Sequence, residues 1–283
     1  MTAQLIDGAA MAKAKLLELK QIVTSLEPRG VRPGLATVQV GDDPASRIYI
    51  RHKARACGDA GVTSIHHDLP VSSSESDVLR LLDTLNNDKL IHGIIVQLPL
   101  PPHLDARRIS QAIAVEKDVD GFNWRNLGAL VEGASGIVPC TPKAVMTMLD
   151  HAGVVIAGRS AVVVGRSNIV GKPVALLLIG RSATVTVCNS RTADLPAITR
   201  QADILVVATG KAGLITREHI KPGAAVIDVG INRLPTGKIA GDVAFDEVKE
   251  VAGWITPVPG GVGPMTVAML VENAVNAAAR AQQ

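Results

Sequence analysis

Residues 160–179 read SAVVVGRSNIVGKPVALLLI. Ser160 to Gly165 is a short apolar run rich in β-branched residues, the pattern of a strand buried on both faces. Gly165 opens a turn, and Val174 to Ile179 reads as helix. A strand, a glycine turn and a helix start make an anion site, because the free N–H groups and the helix dipole face the ligand. As a dinucleotide fingerprint the match is partial, since Ser167 stands at the second glycine. The neighbourhood is more telling. Further strands are predicted at 183–188, at 204–208 before Thr209-Gly210, and at 225–229 before Gly230-Ile231-Asn232. That succession predicts a doubly wound nucleotide-binding domain.

The second of those strands ends in Cys188-Asn189-Ser190-Arg191-Thr192. NAD enzymes commonly carry an acid there for the ribose hydroxyls. Ser190 and Arg191, with Arg166 on the first turn, suit a 2′-phosphate, so NADP is predicted over NAD. The plainer alternative is solvated loop arginines.

Toward the N-terminus, residues 41–61 read GDDPASRIYIRHKARACGDAG and hold the only tyrosine, Tyr49. Asp43-Pro44 marks a helix start and Gly58 or Gly61 its end. Ser46, Tyr49 and Lys53 then share one face. A Y-x-x-x-K pair is common by chance, and on spacing alone a half-buried Tyr beside a solvated Lys is the favoured explanation. Strands at 35–40, 63–69 and 92–98 alternate with helices from about 9 to 26, along 43–61 and around 78–85, which predicts a parallel sheet. The third strand stops at Gln97-Leu98-Pro99, and ligands of parallel sheets sit at such carboxyl ends. A short helix near 105–114 precedes Lys117-Asp118-Val119-Asp120-Gly121, which lacks the further acids of a calcium loop, so no metal is expected. Asp120 suits a ligand's donor groups or a plain turn. Thr141-Pro142 opens the next helix at a domain boundary. Residues 256–265, TPVPGGVGPM, form a glycine-rich loop able to approach a flat ligand. The expected division is 1–140, 141–265 and a C-terminal helix in 266–283 packing back on the first domain.

The chain has 283 residues, 47% hydrophobic and 19% charged, enough for a substantial core. Aromatic residues are 2%, so that core must be aliphatic. A net charge of +3 without a basic run gives nucleic-acid binding no support. Cys57, Cys140 and Cys188 form no C-x-x-C pair, and neither a signal peptide nor a membrane-length apolar run is present. A soluble, cytoplasmic protein is expected, with no membrane partner.

Six stretches in order resemble the bifunctional methylenetetrahydrofolate dehydrogenase/methenyltetrahydrofolate cyclohydrolase family: VGDDPASRIYIRHKARAC (40–57), GIIVQLPLP (93–101), KDVDGF (117–122), PCTPKAV (139–145), VVVGRSNIVGKPVA (162–175) and TPVPGGVGPMTVAML (256–270). The resemblance covers nearly the whole length. It implies two α/β/α domains with parallel sheets flanking a cleft, the second Rossmann-like and NADP-binding, and a homodimer paired through that domain. It also implies two reactions of one-carbon metabolism, oxidation of 5,10-methylenetetrahydrofolate with NADP+ and hydrolysis of the product to 10-formyltetrahydrofolate. Lys53 matches the family's catalytic lysine, with Gln97 to orient it and Tyr49 to stack on the folate. Asp120 would take the pterin edge, with Ser46 in support and Leu98, Pro259, Gly260 and Gly261 beside the substrate. Gly165, Arg166 and Ser167 would hold phosphate, Ser190 and Arg191 the 2′ end, and Ile231 the nicotinamide. Two positions depart from the family pattern. Asn189 replaces the usual His of C-H-S-x-T, and Ala9 follows I-D-G where Lys is common. Asn189 keeps open a cyclohydrolase that has lost hydride transfer. A short-chain dehydrogenase is disfavoured because its Y-x-x-x-K follows the nucleotide fold, and a non-catalytic NADP sensor because Tyr49, Lys53, Gln97 and Asp120 all occur together.

Overall fold

The structure, a computed structural model, describes residues 2–134 and 136–281. In chain order its elements begin with β1 (Gln4–Leu5), α1 (Gly8–Leu26), β2 (Gly34–Val40), α2 (Pro44–Ala60), β3 (Thr63–Leu69), α3 (Glu75–Asn87), β4 (Gly93–Val96), α4 (Ala106–Gln111), α5 (Trp124–Glu132) and α6 (Cys140–His151). They continue with β5 (Ser160–Val164), α7 (Gly171–Gly180), β6 (Thr184–Cys188), α8 (Leu195–Thr199), β7 (Ile204–Val207) and β8 (Ala225–Asp228). Last come β9 (Asn232–Arg233), β10 (Ile239–Ala240), α9 (Phe245–Val248), β11 (Trp254–Ile255) and α10 (Val262–Arg280). The chain forms two compact units. One comprises Lys13–Cys140 with the stretch from Val267, the other Thr141–Thr266 with the stretch up to Ala12.

The unit built on Lys13–Cys140 holds a parallel sheet in the order β3-β2-β4. β2 lies between two neighbours and all seven of its residues are buried, its polar Thr37 and Gln39 included. Alternation sends Ala36, Val38 and Val40 to one face, where they form a core with Val78, Leu82 and Leu85 of α3 and Ile109 of α4. On α1, Leu19, Val23 and Leu26 are buried at helical spacing. α3 starts with a reciprocal capping box between Ser74 and Asp77.

The second unit carries a six-stranded parallel sheet in the order β1-β11-β8-β7-β5-β6. Its core joins Val162, Val164, Leu205, Val207 and Val226 to Ile215, Ile220 and Ile255. Sequence patterning finds the four longer strands of this sheet but not β1 and β11. Two-residue strands leave no periodicity to read. β1 pairs with β11, Gln4 opposite Trp254, so the first residues of the chain complete this sheet. α5 is likewise absent from the sequence reading. Its buried Asn126 breaks the apolar stripe, although Asn123 caps its start and Gly133 its end. α10 begins at Val262, four residues earlier than its apolar stripe suggests, because the glycines and Pro264 of its first turn read as loop. Among the described residues, no helix is long and apolar enough to cross a membrane.

Candidate active site

α2 is set by its ends. Asp43 accepts from Ser46 N at 2.7 Å and from Ser46 Oγ at 2.8 Å, and these bonds hold its carboxyl below the usual range. Pro44 fills the first turn, and Gly61 closes the helix in the left-handed region at φ +76°. Ser46 is thereby committed to the cap; its hydroxyl also reaches Leu98 O at 3.4 Å.

Between those ends, Tyr49 and Lys53 stand one turn apart. Lys53 Nζ donates to Gln97 Oε1 at 3.1 Å, and Gln97 Nε2 donates to Leu98 O at 2.7 Å. Gln97 follows β4 directly, and its own N–H donates to Val38 O of β2 at 2.8 Å. The amine is therefore tied to the carboxyl end of the sheet. Tyr49 is 41% exposed, and among the described residues its hydroxyl makes no hydrogen bond to Lys53.

Asp120 is half-buried, and no described residue donates to its carboxylate. Burial pushes its pKa up; the Lys53 charge draws it down and Asp118 adds to the rise. Asp118 organises the loop instead. It accepts from Asn123 N at 2.7 Å, Gly121 N at 3.2 Å and Asn126 Nδ2 at 2.9 Å. Asn273 on α10 donates to Val119 O at 2.9 Å and Val138 O at 3.0 Å, and Cys140 Sγ donates to Val119 O at 3.2 Å. Sequence reading finds Asp120 but not Asp118, Asn126 or Asn273. The one signal was the cap pattern at Asn123. Cys57, fully buried on α2, has its thiol pushed up to about 12 by that burial, which leaves it unreactive near neutral pH.

In the other unit, β5 and β6 run in register with Val164 opposite Cys188, so the turns that follow them leave the sheet side by side. A Cβ on Gly165 would fall on Ala208 O, and one on Gly171 on Gly165 O; only glycine permits this packing. Ser167 Oγ accepts from Val170 N at 3.1 Å and Gly171 N at 3.3 Å at the start of α7. Those N–H groups point where a phosphate oxygen can replace the hydroxyl, so the turn fits a nucleotide phosphate. Arg166, Ser190 and Arg191 are exposed. Asn189 Oδ1 accepts from Arg191 N at 3.0 Å, and Asn189 N donates to Thr192 Oγ1 at 2.9 Å. Asn189 thus serves as a turn residue that fixes the backbone of Arg191. Ile231 is 47% exposed between the anchored Gly230 and Asn232. Ala9 N donates to Gly260 O at 2.9 Å while its side chain faces solvent, and Gly261 is buried with no room for a Cβ beside Pro257 O.

Residues 6–120 match the family model "Tetrahydrofolate dehydrogenase/cyclohydrolase, catalytic domain", and residues 139–282 match "Tetrahydrofolate dehydrogenase/cyclohydrolase, NAD(P)-binding domain". The chain belongs to the tetrahydrofolate dehydrogenase/cyclohydrolase family. Within that family it is 56% identical over 280 residues to the bifunctional protein FolD of Moorella thermoacetica, covering 99% of this chain and 100% of that one. Among solved tetrahydrofolate dehydrogenase/cyclohydrolase structures, the bifunctional FolD enzyme of Campylobacter jejuni superposes with TM-score 0.97 at 46% identity, over 99% of each chain. The Trypanosoma brucei enzyme, solved with NADP and an inhibitor, gives 0.96 at 43% identity, over 100% of this chain and 99% of that one.

Proposed function

We propose that Lys53, oriented by Gln97, is the proton relay of the hydrolytic half-reaction. The chain is a bifunctional enzyme of one-carbon metabolism, an NADP-dependent methylenetetrahydrofolate dehydrogenase and methenyltetrahydrofolate cyclohydrolase. In the first reaction the methylene carbon of 5,10-methylenetetrahydrofolate gives up a hydride, leaving the 5,10-methenyl cation. NADP+, when bound, supplies the hydride acceptor. In the second, water adds to that cation, the ring C–N bond at N5 breaks, and 10-formyltetrahydrofolate and a proton leave.

The observation that carries the Lys53 role is its hydrogen bond to Gln97 at the sheet's carboxyl end. The first reaction calls for geometry but no protein acid or base, whereas the second moves protons from water to the departing nitrogen. An amine held by one neutral acceptor keeps further N–H directions for that work. Tyr49 offers its exposed ring to the flat folate. Asp120, with no donor among the described residues, accepts from the pterin's amino-pyrimidine edge. In the nucleotide unit Gly165, Arg166 and Ser167 hold phosphate, Ser190 and Arg191 the 2′-phosphate, and Ile231 meets the nicotinamide.

The test is Lys53→Met. Hydrolysis of methenyltetrahydrofolate should fall by roughly 10²-fold or more while NADP+ binding is retained. Unchanged hydrolysis would remove Lys53 from the mechanism.

The active species proposed is a cytoplasmic homodimer. In support of the pairing, β6 ends its sheet with an open backbone edge and Val187 is 41% exposed there. In support of the compartment, all three cysteines are buried, and Cys57 and Cys188 are free thiols; recovery of the protein in a secreted or membrane fraction of cells would count against it.

A further inference from the structure

Two buried carboxylates in the nucleotide unit have no part in the scheme above. Asp228 ends β8 and is 3% exposed; Asp242 follows β10 and is 0% exposed. Neither makes an ion pair among the described residues. Their oxygens are taken up by N–H and O–H donors from the turns at the carboxyl end of the sheet. Asp242 Oδ2 accepts from Thr209 N at 2.5 Å, Thr209 Oγ1 at 2.9 Å and Gly210 N at 2.9 Å. Its Oδ1 accepts from Asn232 Nδ2 at 2.8 Å. Asp228 Oδ1 accepts from Gly230 N at 2.9 Å and Asp242 N at 3.0 Å, and its Oδ2 from Val243 N at 2.9 Å.

Space is reserved for both groups. A Cβ on Gly230 would fall on the Asp242 carboxyl, and one on Gly241 on the Asp228 carboxyl. Burying a carboxylate is costly unless its oxygens find donors, so a site that gives each of the four oxygens at least one donor is a built feature. What it secures is specific. The turn after β7 (Thr209-Gly210) and the turn after β8 (Gly230-Ile231-Asn232) are otherwise separate excursions from neighbouring strands. One carboxylate joins them. Ile231 is left exposed between two fixed points, Gly230 on Asp228 and Asn232 on Asp242.

We propose that Asp242 is a positioning residue for hydride transfer, locking the turns after β7 and β8 together so that Ile231 is held at a fixed height against the nicotinamide. This rests on the reading of Ile231 as the nicotinamide contact. Near-attack geometry tolerates little error, and a displacement of about 1 Å can cost on the order of 10²-fold in rate. The carboxylate acts through the turns and touches neither substrate nor cofactor.

The test uses the full chain and both activities, with hydrolysis assayed on methenyltetrahydrofolate without cofactor. Asp242→Ala should lower dehydrogenase kcat at saturating NADP+ at least about tenfold, while hydrolysis, which depends on Lys53 in the other unit, changes less than about twofold. Asp242→Asn should recover most of that loss. Its amide oxygen can still accept from Thr209 and Gly210, and Asn232 can turn its own amide to accept from the new NH2. Asn232→Ala, which frees only the second turn, should lower dehydrogenase kcat several-fold with the same selectivity, and it carries the test if Asp242→Ala does not fold. A folded Asp242→Ala or Asn232→Ala with wild-type dehydrogenase kcat overturns the proposal. So does a parallel fall of both activities, the result expected of a merely structural residue. Wild-type protein that fails to reduce NADP+ would instead overturn the dehydrogenase reading itself.

Discussion

At the scale of single residues, the two units use charge differently. Lys53 faces one neutral acceptor, Gln97, whereas Arg191 is presented on a turn that its neighbour Asn189 fixes through the backbone. If Arg191 binds the 2′-phosphate, Arg191→Ala should raise the NADP+ dissociation constant roughly tenfold to a hundredfold and leave NAD+ binding nearly unchanged. Equal losses for the two cofactors in equilibrium titrations would refute that assignment. Asp228 makes a pH prediction. Burial is the largest influence on it and lifts its pKa to about 6 from an ordinary 3.8, against the pull of the Val243, Asp242 and Gly230 N–H groups. A carboxyl raised in the folded state binds protons there first, so its penalty is present above about pH 6 and is relieved as pH falls toward 4. Wild type should therefore gain stability relative to Asp228→Asn by about 2 kcal/mol between pH 7 and pH 4, read from urea unfolding at each pH. A pH-independent difference between the two proteins would show that Asp228 is ordinary in the fold.

At the scale of elements, the longer helices and strands were legible because their information is local, whereas α5, with Asn126 in its stripe, was not. Asp43-Pro44 and Gly61 bracket α2 in the sequence as they do in space, and Thr63–Leu69 shows as a strand on both readings. The network behind the Asp120 loop was not legible. Asp118, Asn126 and Asn273 are polar residues in buried places, and sequence pattern marks polarity as surface. Their partners come from separate elements, with Asn273 and Val119 lying 154 residues apart. Gly121 sits at the centre of this loop at φ +75°, where a Cβ would press on Pro139 N and Ile137 O. Gly121→Ala should cost roughly 1–3 kcal/mol from the backbone conformation alone and shift Asp120, weakening folate binding more than NADP+ binding. Wild-type folate affinity in that variant would show that the loop does not need this conformation.

At the scale of the whole molecule, β6 closes one side of the six-stranded sheet with nothing paired beyond it among the described residues. If two chains meet there, a lysine should keep them apart, since charge on an edge strand opposes edge-to-edge pairing. Light scattering on Val187→Lys should report the mass of one chain where wild type reports two; a dimeric variant, or a monomeric wild type, would send the interface elsewhere. Neither unit is a continuous stretch of sequence. The order of motifs reveals that there are two halves, but membership of β1 in the nucleotide sheet emerges only from its pairing with β11. Asn273 carries the same discontinuity into protein synthesis. Ribosomes add about 5–20 residues each second, so the 154 residues between Val119 and Asn273 take roughly 8–30 s to make. For that interval the nascent Asp120 loop exists without the amide that later closes over Val119 and Val138, and a chaperone or a protease has its opportunity then.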